Sequence, residues 1–419
     1  MENLLYWVWL SLCCTPGYTT FDKLIAELDT PERIFAATES EISSCIGERV
    51  RDYTMLVRKD LTAAKEVLDF CIRHKVGILT YADAAYPESL RSIVGSPVLL
   101  YYRGQLPDFE SLCPIAVVGN RKMSAYGQKS AFTIAADLAR AGATVVSGMA
   151  KGVDAMAMAG ALSEEGRVIA FLGSGIDICY PEEHLTLARE TVKNGCIMTE
   201  YAPGTPPERF NFPKRNRLIS GVSAATLMIE GKERSGGMIT ARHAMAQNRP
   251  VYALPGNVDS PGSAATHLLL RGGARLLTSA DDVVRDLEDT YRGILNPFAM
   301  ASAEPADMEP VLRRLALNGC EEKKKGLGAL FSRKSAASRE KEVEIETDAQ
   351  DFADPILSSM DPEARRVYEA IPEEGDCPLE ALCGEHLPLR TVMKYLLKLE
   401  IKGLITMLPG ERVKRARSL

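Results

Sequence analysis

Apolar and polar positions change their spacing several times along this 419-residue chain, and each change suggests a new structural unit. Within residues 1–80, apolar residues recur at helical spacing in short runs at 4–12, 21–28 and 31–37. Turn residues separate these runs, and Thr38 or Ser40 is a suitable N-cap for the next helix. The pattern predicts a small helical module, of a kind that more often serves packing or protein interaction than nucleic-acid binding.

Residues 114–291 alternate between short, continuously apolar runs and helical periods. The apolar runs lie at 115–118, 144–146, 168–172, 197–199, 226–229 and 251–254. Strands of this kind are buried on both faces, which predicts an α/β fold with a Rossmann-like, doubly wound parallel sheet. Ligands of such sheets bind at the carboxyl ends of the strands. Residues 81–113 are predicted to be a connecting segment with one strand at 98–102.

The C-terminal part of the chain divides into two further segments. Residues 292–354 lose the alternation and are rich in Ser, Ala and charge, which predicts a flexible linker. Residues 355–419 show three helical patterns and a strand pair, which predicts a winged-helix domain. A row of cations on its longest helix suits either a DNA groove or an ordinary solvated face. The row is Arg390, Lys394, Lys398 and Lys402.

Composition excludes several classes of protein. The net charge of −6 means that any affinity for nucleic acid must come from a local basic surface. Ten cysteines without a CxxC pair, and five histidines without ligand spacing, indicate a reduced chain with no disulfide framework and no metal site. The apolar start carries no early cation and is broken at Pro16 and Gly17, so we expect a core helix and a cytoplasmic protein that does not contact membranes.

Glycines, hydroxyl residues and cations follow the predicted strands, where helices should begin. They are Gly119, Arg121 and Ser124, then Ser147, Gly148 and Lys151, then Gly173 and Ser174, and finally Ser235 and Gly236. Each turn alone is ordinary for a strand-to-helix connection. Together they place glycine-rich helix starts along one edge of the sheet, an arrangement that favours a polyanion.

A basic cluster faces this edge in the prediction. It follows the proline-rich loop 203–207 and consists of Lys214, Arg215 and Arg217, with Asn216 between them. Cations at a helix start attract phosphates, and guanidinium groups bind their oxygens in pairs. Phe210 and Phe212 flank the cluster and are candidates for stacking on bases, although either could belong to the core; Phe210 is preferred because a loop surrounds it.

Motifs for nucleotide chemistry are absent from the sequence. It contains no G-x-x-x-x-G-K-[ST] loop, no G-x-G-x-x-G turn after the first core strand and no G-x-S-x-G elbow, so no cofactor is expected. Four carboxylates near strand ends could perform acid–base chemistry, but capping and loop bracing are the first interpretation. They are Asp154, Asp177, Glu200 and Glu230.

These motifs, taken in order, resemble those of the DNA-processing protein DprA (Smf) family. The matching stretches are Gly119-x-Arg121…Ser124-x-Tyr126-Gly127, Ser147-Gly148-x-Ala150-x-Gly152-x-Asp154, Leu172-Gly173-Ser174-Gly175-x-Asp177…Tyr180-Pro181, Phe212-Pro213-x-Arg215-Asn216-Arg217, Ser235-Gly236-x-x-Ile239-Thr240-Ala241 and Pro255-Gly256. Met158 and Ala264 depart from the family pattern, where His and Asn are usual, and the linker is unusually long.

The resemblance implies a non-enzymatic protein that binds incoming single-stranded DNA during natural transformation, protects it and helps to load the RecA recombinase. It also implies a homodimer formed through the core, a sterile-alpha-motif-like N-terminal module and a C-terminal winged helix. The residues predicted to bind DNA are Gly119, Arg121, Ser124, Ser147, Gly148, Lys151, Gly173, Ser174, Phe210, Lys214, Arg215, Asn216, Arg217, Ser235 and Gly236.

Two other functions are compatible with the sequence. A phosphoribohydrolase-like enzyme would have a related Rossmann-like fold and a P-G-G-x-G-T-x-x-E loop. The nearest stretch, at 235–240, is followed by Ala241, Arg242 and His243, so the glutamate is missing. A transcriptional regulator is suggested only by the winged helix.

Overall fold

One mostly parallel sheet organises the first three quarters of the chain. The computed structural model describes residues 2–301, 306–317, 362–372, 376–382, 392–393, 395–396, 399, 405–408 and 412–415. The strands of this sheet are β1 (Gly77–Thr80), β2 (Leu99–Gly104), β3 (Pro114–Val118), β4 (Thr144–Ser147), β5 (Val168–Phe171), β6 (Gly195–Thr199), β7 (Ala225–Met228), β8 (Val251–Ala253) and β9 (Arg275–Leu276).

The spatial order of the strands is β1-β2-β6-β5-β4-β3-β7-β8-β9. From β6 to β9 in this order, all neighbours are parallel, whereas β1 and β2 extend the sheet in antiparallel pairing. The chain runs outward from β3 to β6 and then returns to β7 on the other side of β3. The switch point of a doubly wound fold therefore lies between β3 and β7, as the predicted fold class requires.

Helices cover both faces of the sheet. Those of the first 317 residues are α1 (Glu2–Cys13), α2 (Thr20–Leu28), α3 (Pro31–Ala36), α4 (Glu39–Ile46), α5 (Tyr53–Arg58), α6 (Thr62–Arg73), α7 (Glu88–Arg91), α8 (Ala125–Arg140), α9 (Val153–Ser163), α10 (Leu185–Lys193), α11 (Asn211–Val222), α12 (Gly236–Ala246), α13 (Ala264–Arg271), α14 (Ala280–Leu287), α15 (Phe298–Ala301) and α16 (Met308–Arg314). No helix in the described part of the chain is both long and apolar enough to cross a bilayer.

Alternate residues of each strand point to opposite faces of the sheet, so two hydrophobic cores form. In β3, Ile115 and Val117 belong to the core that contains α8 and α9, whereas Ala116 and Val118 belong to the core that contains α11 and α12. Because both faces are covered, the strands are apolar throughout, and this gave the continuous runs in the sequence.

The helical N-terminal module extends from α1 to α6 and shares the first of these cores. Trp7 and Phe21 lie in the same buried cluster as Val98 and Tyr101 of the sheet region. The predicted helices are confirmed, and Thr38 caps α4 as expected. The likeness of this module to a sterile alpha motif stays a prediction.

Two boundaries differ from the prediction. Strand β1 lies at the end of the range predicted to be helical, and β2 makes the connecting segment part of the sheet. Beyond residue 291, Leu312, Leu315 and Leu317 are buried in the first core, and Arg314 donates a hydrogen bond to the Leu162 carbonyl. Residues 308–317 therefore pack on the core although they were predicted to be linker; residues 318–361 lie outside the described residues.

The C-terminal unit has its own small core. It contains α17 (Pro362–Glu369), β10 (Cys377–Pro378), β11 (Ile405–Leu408) and β12 (Arg412–Arg415), and the strands form an antiparallel sheet in the order β10-β12-β11. Tyr395 and Leu396 are buried in this core, whereas Met393 is exposed. The winged-helix assignment stays a prediction, and the four cations of the row lie outside the described residues.

Candidate nucleic-acid interface

The loops after β3, β4 and β7 meet at the switch point. The Asn120 amide donates a hydrogen bond of 2.9 Å to the Glu230 carbonyl, and the Asn120 carbonyl accepts one of 3.1 Å from the Val153 amide. Gly119 is required here, because a Cβ atom at that position would lie 2.7 Å from Val153 Cγ2. The three loops are therefore held as one unit.

Ser124 and Glu230 occupy the crevice between β3 and β7. The Ser124 hydroxyl caps α8 by accepting from the Gly127 amide at 3.0 Å, and it donates to the Glu230 carboxylate at 2.7 Å. A Cβ atom on Gly127 or Gly262 would collide with that carboxylate. In doubly wound folds, the phosphate of a nucleotide lies at such a helix start. In this protein the Glu230 carboxylate lies there instead.

The loop after β4 is braced by buried groups. The Ser147 hydroxyl donates to the Val117 carbonyl at 2.8 Å, and the Gly148 amide donates to the Asp154 carboxylate at 3.0 Å. Burial raises the pKa of Asp154, although the positive charge of Arg215 opposes the rise. Lys151, by contrast, is exposed and lies 2.9 Å from Glu183.

The loop after β5 packs beneath an aromatic ring. Ser174 is buried, its hydroxyl donates to the Ile178 carbonyl at 3.2 Å, and its own carbonyl accepts from Thr199 at 2.9 Å. Gly173 allows the Phe212 ring to approach, since a Cβ atom there would be 2.9 Å from the ring. Gly173 and Ser174 therefore lie beneath the surface and support the position of the Phe212 ring.

The basic cluster lies within α11, which begins at Asn211, one turn earlier than the sequence suggested. Its members have different surroundings. Arg217 is buried and donates to both oxygens of the Glu200 carboxylate at 2.6 Å and to the Gly95 carbonyl at 2.7 and 3.0 Å. Arg215 is also buried and donates to the Gly148 and Phe171 carbonyls.

Burial lowers the pKa of Arg215 to about 10, opposed by the nearby negative charge of Asp154. Asn216 is buried too, and its amide donates to the Gly236 carbonyl at 3.1 Å. Ser235 caps the next helix, α12, by accepting from the Met238 amide at 3.4 Å. These residues hold the loops in place, whereas Lys214 remains partly exposed.

Cations and aromatic rings lie next to each other at this edge. The Arg121 guanidinium lies 5.3 Å from the Phe212 ring centre, and the Lys214 ammonium lies 5.7 Å from the Phe210 ring centre. The Tyr180 ring is 5.5 Å from Phe212, and Phe210 is 57% exposed. We call these five residues the aromatic–basic platform. Cations beside exposed rings are the features that hold single-stranded nucleic acid.

The structure brings all the predicted DNA-binding residues to the carboxyl edge, but at different depths. The exposed members are Arg121, Ser124, Lys151, Phe210 and Gly236, and the partly exposed ones are Gly119, Lys214 and Ser235. The buried members are Ser147, Gly148, Gly173, Ser174, Arg215, Asn216 and Arg217. The part that each takes in DNA binding stays a prediction. Tyr180 belongs to a motif that the sequence shares with the family, but it was not among the predicted DNA-binding residues.

The carboxylates at the strand ends brace loops, as first interpreted. Asp154, Glu200 and Glu230 make the contacts described above, and Asp177 accepts from the Gly204 amide at 2.9 Å. Among the described residues, no group of His, Cys, Asp and Glu side chains is arranged to hold a metal ion.

Residues 77–288 match the family described as DNA recombination-mediator protein A. The chain belongs to this family. It is 39% identical over 206 residues to the DNA processing protein DprA of Streptococcus pneumoniae, an alignment that covers 49% of this chain and 72% of the relative. It is 31% identical over 343 residues to protein Smf of Synechocystis, with coverage of 80% and 79%.

The fold agrees with this assignment. The X-ray structure of DNA processing protein A from Streptococcus pneumoniae superimposes with a TM-score of 0.59 at 30% sequence identity, over 68% of this chain and 98% of that chain. The relation therefore covers the Rossmann-like core and extends beyond the part matched by the family description.

Proposed function

We propose that this protein is a single-stranded-DNA-binding recombination mediator that protects incoming DNA and helps to load RecA recombinase during natural transformation. The observation that carries the proposal is the aromatic–basic platform at the carboxyl edge of the sheet. Family membership supports the recombination-mediator role, and with it the RecA partner, a homodimer formed through the core and a cytoplasmic location.

The platform favours a single strand over a duplex. Bases of a single strand expose their faces and can stack on rings such as Phe210, whereas bases in a duplex are already stacked on each other. The two cations of the platform, Arg121 and Lys214, can meet phosphates between the stacked bases. A duplex would gain only the electrostatic part of this interaction.

The platform also favours a polymer over a mononucleotide. The crevice where a doubly wound fold would hold one nucleotide contains the Glu230 carboxylate, bonded to Ser124 at 2.7 Å. A second anion in that crevice would be repelled and would have to break this bond. Affinity must then come from several weak contacts along a strand, which a mononucleotide cannot make together.

We further propose that the protein is not an enzyme. The carboxylates at the strand ends, which would be the first candidates for acid–base catalysis, are each engaged in bracing a loop. Such groups are positioned by the fold and already hydrogen-bonded, which supports a structural role for them.

The test is a fluorescence anisotropy titration of the full-length protein with a single-stranded oligonucleotide, the corresponding duplex and a mixture of mononucleotides, at matched near-physiological salt. We expect the single strand to bind most tightly and the mononucleotides not to compete. Phe210→Ala should weaken single-strand binding by about 1–3 kcal/mol. Phe298→Ala is the matched control, because Phe298 is 81% exposed on α15, near the amino end of β4. Equal affinity for duplex and single strand, or no effect of Phe210→Ala, contradicts the proposal.

A further inference from the structure

The N-terminal module reaches the aromatic–basic platform at one point, the turn between α1 and α2. Tyr18 lies in this turn and is 41% exposed. The Lys214 ammonium is 4.7 Å from the Tyr18 ring centre and 5.7 Å from the Phe210 ring centre. A cation of the core therefore lies close to two exposed rings, one from each part of the chain.

The position of this turn is fixed by a chain of hydrogen bonds into the core. Asp22 accepts from the Gly95 amide at 2.8 Å and from the Ser96 amide at 3.1 Å. The Gly95 carbonyl in turn accepts two hydrogen bonds from Arg217, which is paired with Glu200. The module is thus bonded to the same helix, α11, that carries Lys214.

Close packing adds to these hydrogen bonds. Gly17, with φ of +81°, lies so close to the core that a Cβ atom on Gly95 would be 2.8 Å from its carbonyl carbon. The cavity left between the turn and the core, lined by Thr15, Ser96 and Glu200 among others, is about 20 Å³. That volume holds about one water molecule, so the turn is seated directly on the core.

We propose that Tyr18 stacks on a base of the bound strand and that the N-terminal module is one wall of the DNA path. This inference rests on the proposed function. An exposed ring beside a platform cation has the same chemistry as Phe210, and its rigid seat avoids the entropy cost of ordering a mobile residue on binding. The helical module would then be a part of the binding site in addition to its packing role.

The test compares single-strand affinities of the full-length protein, Tyr18→Ala, Tyr18→Phe and Ile72→Ala. Ile72 is the matched control because it is an exposed apolar residue of α6 in the same module. We expect Tyr18→Ala to weaken binding about 5- to 100-fold, and Tyr18→Phe and Ile72→Ala to bind nearly as the wild type does. The salt dependence should be unchanged in Tyr18→Ala, since no charge is lost.

A second readout locates the contact directly. An oligonucleotide carrying 5-iodouracil is irradiated with the wild-type protein, and the cross-linked peptides are identified by mass spectrometry. We expect an adduct on Tyr18. Adducts on Phe210 but not on Tyr18, or wild-type affinity in Tyr18→Ala, overturn the inference and leave the proposed function standing. A wild-type protein that binds no single strand overturns the proposed function itself.

Discussion

Arg217 and Glu200 form a bidentate ion pair with two contacts of 2.6 Å, and their side chains are only 5% and 4% exposed. Burial disfavours the charged guanidinium, but the Glu200 carboxylate outweighs this and raises the pKa of Arg217 above its ordinary value. The same guanidinium donates to Gly95, which binds the N-terminal module. One buried pair therefore joins the loop after β6, helix α11 and the module.

Replacing Glu200 by Gln should strongly destabilise the protein, because it leaves a buried guanidinium without its counter-charge. We expect a loss of about 3–5 kcal/mol in the free energy of unfolding, measured by urea denaturation. The control is Asp289→Asn, which breaks the pair with Arg292 at 2.9 Å, where both side chains are almost fully exposed. That change should cost about 0–1 kcal/mol. Similar losses in the two variants would mean that the buried pair contributes no more to the free energy of unfolding than the exposed pair does.

The burial of Arg215 and Arg217 shows what the sequence could and could not indicate. The turns themselves were predictable, because a buried strand followed by glycine and a capping serine is a local pattern. Which cations are buried was not predictable, because Arg217 donates a hydrogen bond to the Gly95 carbonyl, 122 positions away. One local clue existed: residues two apart on a helix lie on different faces, so three cations in four positions could not all meet one ligand.

The edges of the sheet were predictable only in part for a similar reason. Strand β1 lies at the edge of the sheet, pairs in antiparallel fashion with β2, and has two residues that are only partly buried, so it lacks the fully buried apolar run of a central strand. The leucines at 312, 315 and 317 stand in a charged region, and their burial depends on the partner surface of α9. Tertiary contacts, which no local pattern records, decided both boundaries.

His243 should make the protein sensitive to mild acid. Burial, together with the positive charge of Arg217, lowers the pKa of His243 from 6.5 to about 4. The unfolded chain therefore takes up a proton first, and stability is lost as the pH falls from 6.5 towards 4. Between about pH 7 and about pH 5 we expect this residue alone to account for a loss of about 2 kcal/mol.

The measurement is urea denaturation of the wild type and His243→Gln at both pH values. The comparison between the two isolates His243, because other buried groups, such as His184, titrate in both proteins. We expect a smaller loss on acidification in the variant. An equal loss in the two proteins would show that His243 is not the source of the sensitivity.

The two cations of the platform should contribute to binding through phosphate contacts. Arg121→Ala and Lys214→Ala should each weaken single-strand binding whatever the sequence, and each should lower the slope of log affinity against log salt by about 0.7. Lys193→Ala is the control, because Lys193 is an exposed lysine that lies before the amino end of β6. Unchanged slopes in both platform variants would place the strand elsewhere on the protein.

The non-enzymatic assignment predicts that the purified protein releases neither base nor phosphate from nucleoside monophosphates or ATP. Its acidic groups near the strand ends are already bonded within the fold, as Glu230 is to Ser124. Product would be measured by chromatography against a buffer blank. Turnover that disappears in Glu230→Gln or Glu200→Gln, in a variant that remains folded by circular dichroism, would establish a catalytic site and contradict the assignment.

Two truncated chains test whether the core or the C-terminal unit binds the single strand. The core extends at least to Leu317, because Leu312, Leu315 and Leu317 are buried in it. A chain that ends at Leu317 keeps the platform and the N-terminal module, so it should fold and retain single-strand affinity to within about threefold at near-physiological salt. A chain that ends at Tyr291 exposes the apolar surface beneath those leucines and should lose several kcal/mol of stability, at about 1.5–3 kcal/mol for each leucine.

Circular dichroism and thermal unfolding establish which chains fold, and anisotropy with the same oligonucleotide then compares their binding. If the chain ending at Leu317 is folded but hardly binds, the strand is held by the C-terminal unit and the platform is not the binding site. If it binds as the full-length protein does, the C-terminal unit is left for duplex DNA or for a protein partner.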